Sequence, residues 1–220
     1  MADIAGWPPR WLTEVPIEDI ERGDGDLYAE FAEAVCRVTK DSVASPAGKL
    51  LQLRPWQKEL LRHTLARRED GRFLHRTALI GMSRKNGKSA LAASMGLAGL
   101  TMGGNGSEIY SCAADRDQAR IVFGTAKRMI ELDEELSSIS KVYRDAIEFP
   151  ETGSVYRVLS REAGASEGLS PTFVVFDEVH VQPDDEMWNV MTLGAGARNE
   201  PLLLGITTAG ARVDNRGQDS

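Results

Sequence analysis

Thr77-Ala78-Leu79-Ile80-Gly81-Met82-Ser83-Arg84-Lys85-Asn86-Gly87-Lys88-Ser89 is the stretch that decides how this chain reads. Its apolar start, Ala78-Leu79-Ile80, predicts a buried strand, and a polar loop follows. After Gly87-Lys88-Ser89 come Ala90-Leu91-Ala92-Ala93-Ser94-Met95, a run of good helix formers. Strand, polar loop, Gly-Lys-Ser and helix together form the setting of a phosphate-binding loop. The start of a helix offers unpaired N–H groups and the positive end of its dipole to an anion. In that setting Lys88 reaches the β- and γ-phosphates, the Ser89 hydroxyl ligates Mg²⁺, and Gly87 lets the backbone approach without a Cβ in the way. The ordinary loop has its first glycine five residues before the Gly-Lys pair. Here Met82 holds that place and Gly81 sits one residue early. Gly-Lys is not specific by itself, since Gly48-Lys49-Leu50 carries it in a loop. The remainder of the chain has to supply the case.

With 220 residues there is enough chain for one sizeable α/β core, and 42% hydrophobic with 27% charged residues is ordinary for a globular domain. No apolar run approaches the ~18 residues of a membrane span, and the N-terminus lacks a basic region followed by an apolar core, so neither a membrane segment nor a secretory signal is expected. Cys36 and Cys112 have no metal-ligand spacing and read as buried, reduced thiols. A net charge of −7 excludes coating nucleic acid through overall charge, while leaving room for a local basic patch.

Along the chain, residues 1–16 read as an irregular arm. Residues 17–40 read as helix interrupted near Gly23–Gly25, with Leu27, Phe31, Ala34, Val35 and Val38 at helical spacing. Residues 41–51 are a loop, and Pro55 opens a helix reaching about Arg68. In that helix the amide of Gln57 can present both donor and acceptor to an adenine edge. Glu108–Ala113 predicts a second strand. Asp115 caps a helix over 117–132, with Ala119, Val122, Phe123, Ala126, Met129 and Ile130 on its apolar face. Ile147–Phe149 and Val155–Leu159 flank a Gly-containing turn as a hairpin. Phe173-Val174-Val175-Phe176 reads as a strand covered on both faces, Asp184–Ala197 as a helix, and Leu202–Thr207 as the next buried strand. Alternating strands and helices predict a mostly parallel sheet with its ligand at the carboxyl ends of the strands.

Asp177 and Glu178 close the Phe173–Phe176 strand. Adjacent acids beside a core are costly unless they meet a cation or polarise water. Asp177 then holds Mg²⁺, and Glu178 orients and deprotonates a water for attack on the γ-phosphate. His180 reads equally as a sensor of that phosphate or as a hydrogen-bonded structural residue. Thr207-Thr208-Ala209 ends the last strand with small hydroxyl residues that can couple the site to a moving segment. The reading requires Lys88, Ser89, Asp177 and Glu178 to converge on one magnesium-triphosphate and the Phe173–Phe176 strand to lie beside the one before Ser83; a fold that breaks either condition would end it.

In this order and spacing the motifs resemble the large terminase subunit of tailed bacteriophages, the DNA-packaging ATPase. Ser83-Arg84-Lys85-Asn86-Gly87-Lys88-Ser89 looks like that family's phosphate loop, in which the first glycine is often absent. Leu53-Arg54-Pro55-Trp56-Gln57 is similar to its adenine motif, Tyr110–Ala119 to its second strand and helix, Gly168–His180 to its acidic motif, and Ile206–Gly210 to its coupling motif. The resemblance covers residues 50–212. It implies a RecA-like (ASCE) P-loop NTPase fold with helices on both faces of the sheet. It divides the chain into an N-terminal arm and helical region, 1–50, and an ATPase core, 51–220. The family's C-terminal nuclease is expected to be absent, making this an ATPase fragment or a naturally split gene.

It further implies ATP and Mg²⁺ as cofactors, with Ser83–Ser89 and Gln57 as the nucleotide site and Arg84 contacting the γ-phosphate in cis. A second arginine would come from a neighbouring subunit, with Arg116, Arg120, Arg128, Arg157 and Arg161 as candidates. The implied partners are viral double-stranded DNA, the portal protein, the small terminase subunit and further copies in a ring, read as a pentamer, in the cytoplasm of an infected bacterium and outside the mature virion. Two rivals stand beside this reading. A DExH-type helicase shares the Asp-Glu-Val-His, the upstream Gln and the small-hydroxyl motif, but this chain shows no second RecA-like domain. A non-hydrolysing nucleotide-binding scaffold would need no base such as Glu178.

Overall fold

The computed structural model describes residues 4–41, 45–160, 168–181, 184–196, 198 and 200–208. Helices α1 (Ile17–Glu21), α2 (Gly25–Val35) and α3 (Pro55–Thr64) precede the first strand, β1 (Thr77–Gly81). Then follow α4 (Lys88–Met102), β2 (Glu108–Ala113), α5 (Arg116–Glu131), α6 (Glu134–Ile139), β3 (Lys141–Val142), β4 (Ala146–Phe149), β5 (Ser154–Ser160), β6 (Phe173–Asp177), a 3-10 turn over Val179–Val181, α7 (Glu186–Ala195) and β7 (Leu202–Thr207). One seven-stranded sheet runs in the order β1-β7-β6-β2-β5-β4-β3. Its first five strands are parallel, and β4 and β3 extend it antiparallel.

Strand side chains alternate between two cores, as the period of two demands. Ile109 and Ala113 of β2, Phe173 and Val175 of β6, and Leu202, Leu204 and Ile206 of β7 join the larger cluster with residues of α2, α3, α4 and α5. Tyr110, Cys112, Val174, Phe176 and Leu203 point the other way and meet Met187, Met191 and Ala195 of α7. The predicted apolar face of α5 is buried throughout. The Asp115 carboxylate caps that helix by accepting from the Gln118 N–H at 2.9 Å. In the core the Tyr156 hydroxyl is paired with Ser111 Oγ at 2.7 Å, so a buried polar atom goes satisfied. Both cysteines are free and buried.

Four expectations are corrected. β1 is an edge strand rather than a buried one: only Ile80 is buried, and Leu79, on the α7 side of the sheet, is 69% exposed. β6 does not lie beside β1, because β7 pairs with both and separates them, so the adjacency condition fails; it is stricter than the site needs, since Lys88 Nζ still comes within 2.8 Å of Asp177 Oδ1. The helix read to Lys40 breaks where Gly23 and Gly25 foretold but ends at Val35; Arg37 then bridges to Leu50, and Leu27 is half exposed. α3 stops at Thr64, short of Arg68. α6 and β3 carry too few residues for a periodic signal.

Candidate functional site

The phosphate loop hangs between β1 and α4. The Met82 N–H extends the strand ladder by donating to the Thr207 carbonyl at 3.0 Å, and its side chain is buried in the larger core. A glycine at this position would forfeit that packing. Further on, the Asn86 amide bonds Ser83 Oγ at 2.6 Å, and Lys85 and Gly87 take left-handed backbone angles, φ +68° and +78°. Gly87 precedes Lys88, the first residue of α4, and its φ is one that only glycine adopts cheaply. For Lys85 the same region costs about 1–3 kcal/mol, a type of strain that concentrates at functional sites.

Gln57 packs against the loop, its amide nitrogen beside Gly87 and Asn86. It is 6% exposed; its Oε1 accepts from the Arg54 N–H at 2.8 Å, capping α3, and its Nε2 donates to the Asn86 carbonyl at 3.2 Å. The amide read as an adenine partner also braces the phosphate loop.

Across the site β6 ends in Asp177, 3% exposed, and Glu178, whose φ of +49° turns the chain sharply. Lys88 Nζ is 2.8 Å from Asp177 Oδ1 and donates to Glu178 Oε1. The other Glu178 oxygen accepts from both the N–H and the hydroxyl of Thr208, each at 3.2 Å. Burial opposes ionisation of Glu178, but the Lys88 ammonium and the Thr208 donors outweigh it and hold its carboxyl below the ordinary glutamate value. His180 stands beside it: its Nδ1 is 2.6 Å from Thr207 Oγ1 and 3.3 Å from Glu178 Oε2. Thus the last residues of β6 and β7 form one network with the first residue of α4. Ala209, the third coupling residue, lies outside the described residues, as does Arg161.

A cleft of about 580 Å³ opens over this network. Arg84, Lys85, Gly87, Lys88, Ser89, Glu178 and Thr208 line it, so six of the expected loop and catalytic residues and one coupling residue share one space. Arg84 also borders a neighbouring cleft with Asp115, Gln118 and His180. Sequence reasoning missed the other residues that line it, Thr39, Lys40, Ala90, Ile121 and Thr125. The one available signal was Ile121, an isoleucine off the apolar face of α5. Among the arginine candidates, Arg116 and Arg120 both bind Asp145, and Arg128 pairs with Glu131 along its own helix.

A family model for the ATPase domain of the terminase large subunit matches residues 55–219. The chain belongs to this family. It is 31% identical over 194 residues to the terminase large subunit of Enterobacteria phage HK97, covering 85% of this chain and 37% of that protein. The crystal structure of the HK97 large terminase superimposes with a TM-score of 0.72 at 28% identity, over 84% of this chain and 38% of that one. The terminase ATPase domain of Thermus phage P74-26 shares the fold, with a TM-score of 0.50 at 20% identity, over 62% of this chain and 61% of that one. A shorter match, 42% over 48 residues, covers 22% of this chain and 10% of protein YmfN of Escherichia coli K12. The chain therefore has the RecA-like P-loop fold of terminase ATPase domains and spans under two fifths of the HK97 subunit. This match favours the terminase reading over the helicase rival. Among the described residues no helix is long and apolar enough to cross a membrane.

Proposed function

We propose that this domain binds Mg-ATP in the cleft over α4 and hydrolyses it, driving viral double-stranded DNA into a procapsid. The observation that carries the reading is Lys88 bridging Asp177 and Glu178 at the mouth of the phosphate loop. Residues 89 and 90 positions apart meet there, with a phosphate-binding helix start on one side and a paired acid on the other. An incoming triphosphate offers Lys88 better partners than the carboxylates, and its transfer frees Glu178. That carboxylate then takes a proton from a water attacking the γ-phosphorus, and ADP leaves as the P–O bond to the β-phosphate breaks. Thr208, on the other oxygen, keeps the carboxylate aimed. The exposure of Arg84 and its place in the lining of both clefts support reading it as the contact to γ-phosphate charge.

The donors suit magnesium. Among the described residues no group of three His, Cys, Asp or Glu side chains forms a metal cage. One hydroxyl, Ser89, and one buried carboxylate, Asp177, are what a hard cation needs when phosphate and water complete its shell. When bound, the ion neutralises charge between the β- and γ-phosphates.

Double-stranded DNA, a portal, the small subunit and a ring of copies, read as a pentamer, follow from family membership and belong to the same proposal, as does action in the cytoplasm of an infected bacterium. The test is nucleotide affinity and phosphate release. Lys88→Ala removes a charged donor worth about 1.5–3 kcal/mol, so ATP binding should weaken about 10- to 100-fold. Glu178→Gln should still bind ATP while turnover falls roughly 10²–10⁴-fold. Normal phosphate release by Glu178→Gln would remove that residue from the base role, and ATP binding without release by the unaltered chain would favour the scaffold rival.

A further inference from the structure

We propose that Lys40, from the segment after α2, is a phosphate-binding residue of the nucleotide site. This rests on the Mg-ATP reading above and adds to it a cation that no motif of the sequence supplies.

The case begins with charge. The chain carries a net −7, so its overall field opposes the approach of a triphosphate. Lys88 does little to reverse that field, because Asp177, at 2.8 Å, and Glu178 already meet its ammonium. Attraction for a polyanion then has to come from cations with no acid beside them. Three of these line the cleft over α4: Lys40, Arg84 and Lys85. All three are exposed, and among the described residues none of their side chains has an ion pair or a hydrogen bond. Elsewhere cations are matched: Lys58 with Glu33, Arg67 with Asp24 and Glu200, Arg120 with Asp117 and Asp145. Unmatched cations around one cavity of about 580 Å³ repel one another, and an entering anion relieves that repulsion.

Arg84 and Lys85 stand there because they belong to the phosphate loop. Lys40 lies far upstream and is brought there by the fold. After α2 ends at Val35, Arg37 pairs with Leu50 in an antiparallel bridge. The Val38 N–H donates to the Lys49 carbonyl, and the Val38 carbonyl accepts from the Gly48 N–H, each at 2.8 Å. The Arg37 guanidinium donates to the Gly48 carbonyl at 3.3 Å and to Asp133 Oδ2 at 3.4 Å, which ties the segment to the turn between α5 and α6. Cys36, one residue earlier, is fully buried. Lys40 thus extends from an anchored base into the space that Gly87, Lys88 and Ser89 also border. Lysine suits that place, since a point charge on a flexible stem can follow phosphate oxygens without a fixed geometry.

The experiment titrates the whole chain calorimetrically with Mg-ATP and with inorganic tripolyphosphate, which has the phosphates and no nucleoside. At low ionic strength Lys40→Glu should weaken both ligands about five- to thirtyfold, and in about 1 M salt, where the Debye length is about 3 Å, most of that loss should vanish. Lys40→Met should show a smaller loss of the same pattern, and Lys40→Arg should bind nearly as the unaltered chain does. Lys49→Glu is the control: it makes the same change of charge on the same ladder, but Lys49 does not line the cleft, so both affinities should stay within about twofold. Unfolding midpoints equal to that of the unaltered chain show that the variants fold. Unchanged affinities in Lys40→Glu, equal weakening by Lys49→Glu, or weakening of Mg-ATP alone would overturn the assignment. Lys88→Ala separates the two levels: if it weakens both ligands while Lys40→Glu weakens neither, only Lys40 leaves the site, and if it weakens neither, the phosphate-loop reading itself fails.

Discussion

At the scale of single residues, His180 sets the most specific expectation. Its ring nitrogen touches Thr207 of β7 and lies close to the Glu178 oxygen that Thr208 also holds. It is thus a positioning residue between the proposed base and the strand end. His180→Ala should lower kcat about tenfold with little change in KM, because the bond to Thr207 that holds the ring beside Glu178 Oε2 is lost and the phosphate loop is untouched. His180→Asn, whose side-chain amide can keep a bond to Thr207, should recover part of that loss; equal defects in both variants would mean the ring serves only as packing. Much of this site was legible in sequence. Lys88, Asp177 and Glu178 were placed by their following a predicted strand or opening a predicted helix, and they do meet. The contact of Gln57 with Asn86 was not legible, because only the fold brings that carbonyl to the amide. Nor were the positive φ values of Lys85 and Glu178, which long-range contacts impose against local preference.

Between elements, α2 and α3 approach closely at Gly25. A Cβ built on Gly25 would sit 2.3 Å from Arg62 Cα and 2.5 Å from its nitrogen, so backbone meets backbone with no flexible side chain to yield. Gly25→Ala should therefore destabilise by about 3 kcal/mol, the upper end of what overpacking costs. Gly124, on the solvent side of α5, meets nothing within 4 Å. Gly124→Ala should stabilise by about 0.5–1 kcal/mol through helix propensity. Denaturant midpoints of the two variants check both signs, and a neutral Gly25→Ala would mean the two helices separate at little cost. The same distinction between local and distant causes explains which elements could be read. β2, α5 and β7 carry complete local signatures, a strand length of apolar residues or a capped helix with one buried face, and they fall where expected to within a residue. Strand order is not a local property. Ala78-Leu79-Ile80 has the composition of a buried strand, yet β1 stands at the sheet's edge with Leu79 outward, and the sequence of β7 holds nothing to say it would insert between β1 and β6.

For the whole molecule, two consequences follow, one of burial and one of assembly. Burial, with a smaller contribution from Asp133, pushes the Cys36 thiol from an ordinary value of 9.0 up to about 12; burial, then Asp24, pushes the Tyr28 hydroxyl from 10.0 up to about 12. Each folded value lies above its unfolded one, so the stability they contribute is complete below about pH 9 and is lost as pH rises toward 12. The urea midpoint should hold steady to about pH 8.5 and fall above it, and native Cys36 should resist alkylation at pH 8; a midpoint flat to pH 11 would contradict this. Assembly bears on turnover. If the proposed ring supplies an arginine from a neighbour, that group is worth about 10³–10⁵ in rate, so dilute protein should hydrolyse slowly and turnover per molecule should climb with concentration. Arg116 is the candidate taken to the test, one of the described arginines near the strand ends. It opens α5 at the carboxyl end of β2, on the side where the site lies, its side chain is 48% exposed, and it makes a single bond to Asp145 at 3.0 Å. Asp145 would keep the two bonds from Arg120 if Arg116 left. Arg128 lies about three turns farther along the same helix, some ~18 Å away at 1.5 Å per residue. Mixing then decides the matter. A Glu178→Gln chain lacks the base but keeps the arginine, and an Arg116→Ala chain lacks the arginine but keeps the base. Each alone should be nearly inactive, and together they should recover turnover, because Arg116 of one completes the site of the other. Brisk hydrolysis by dilute monomer, or a mixture no faster than its parts, would show that no arginine is shared through this residue.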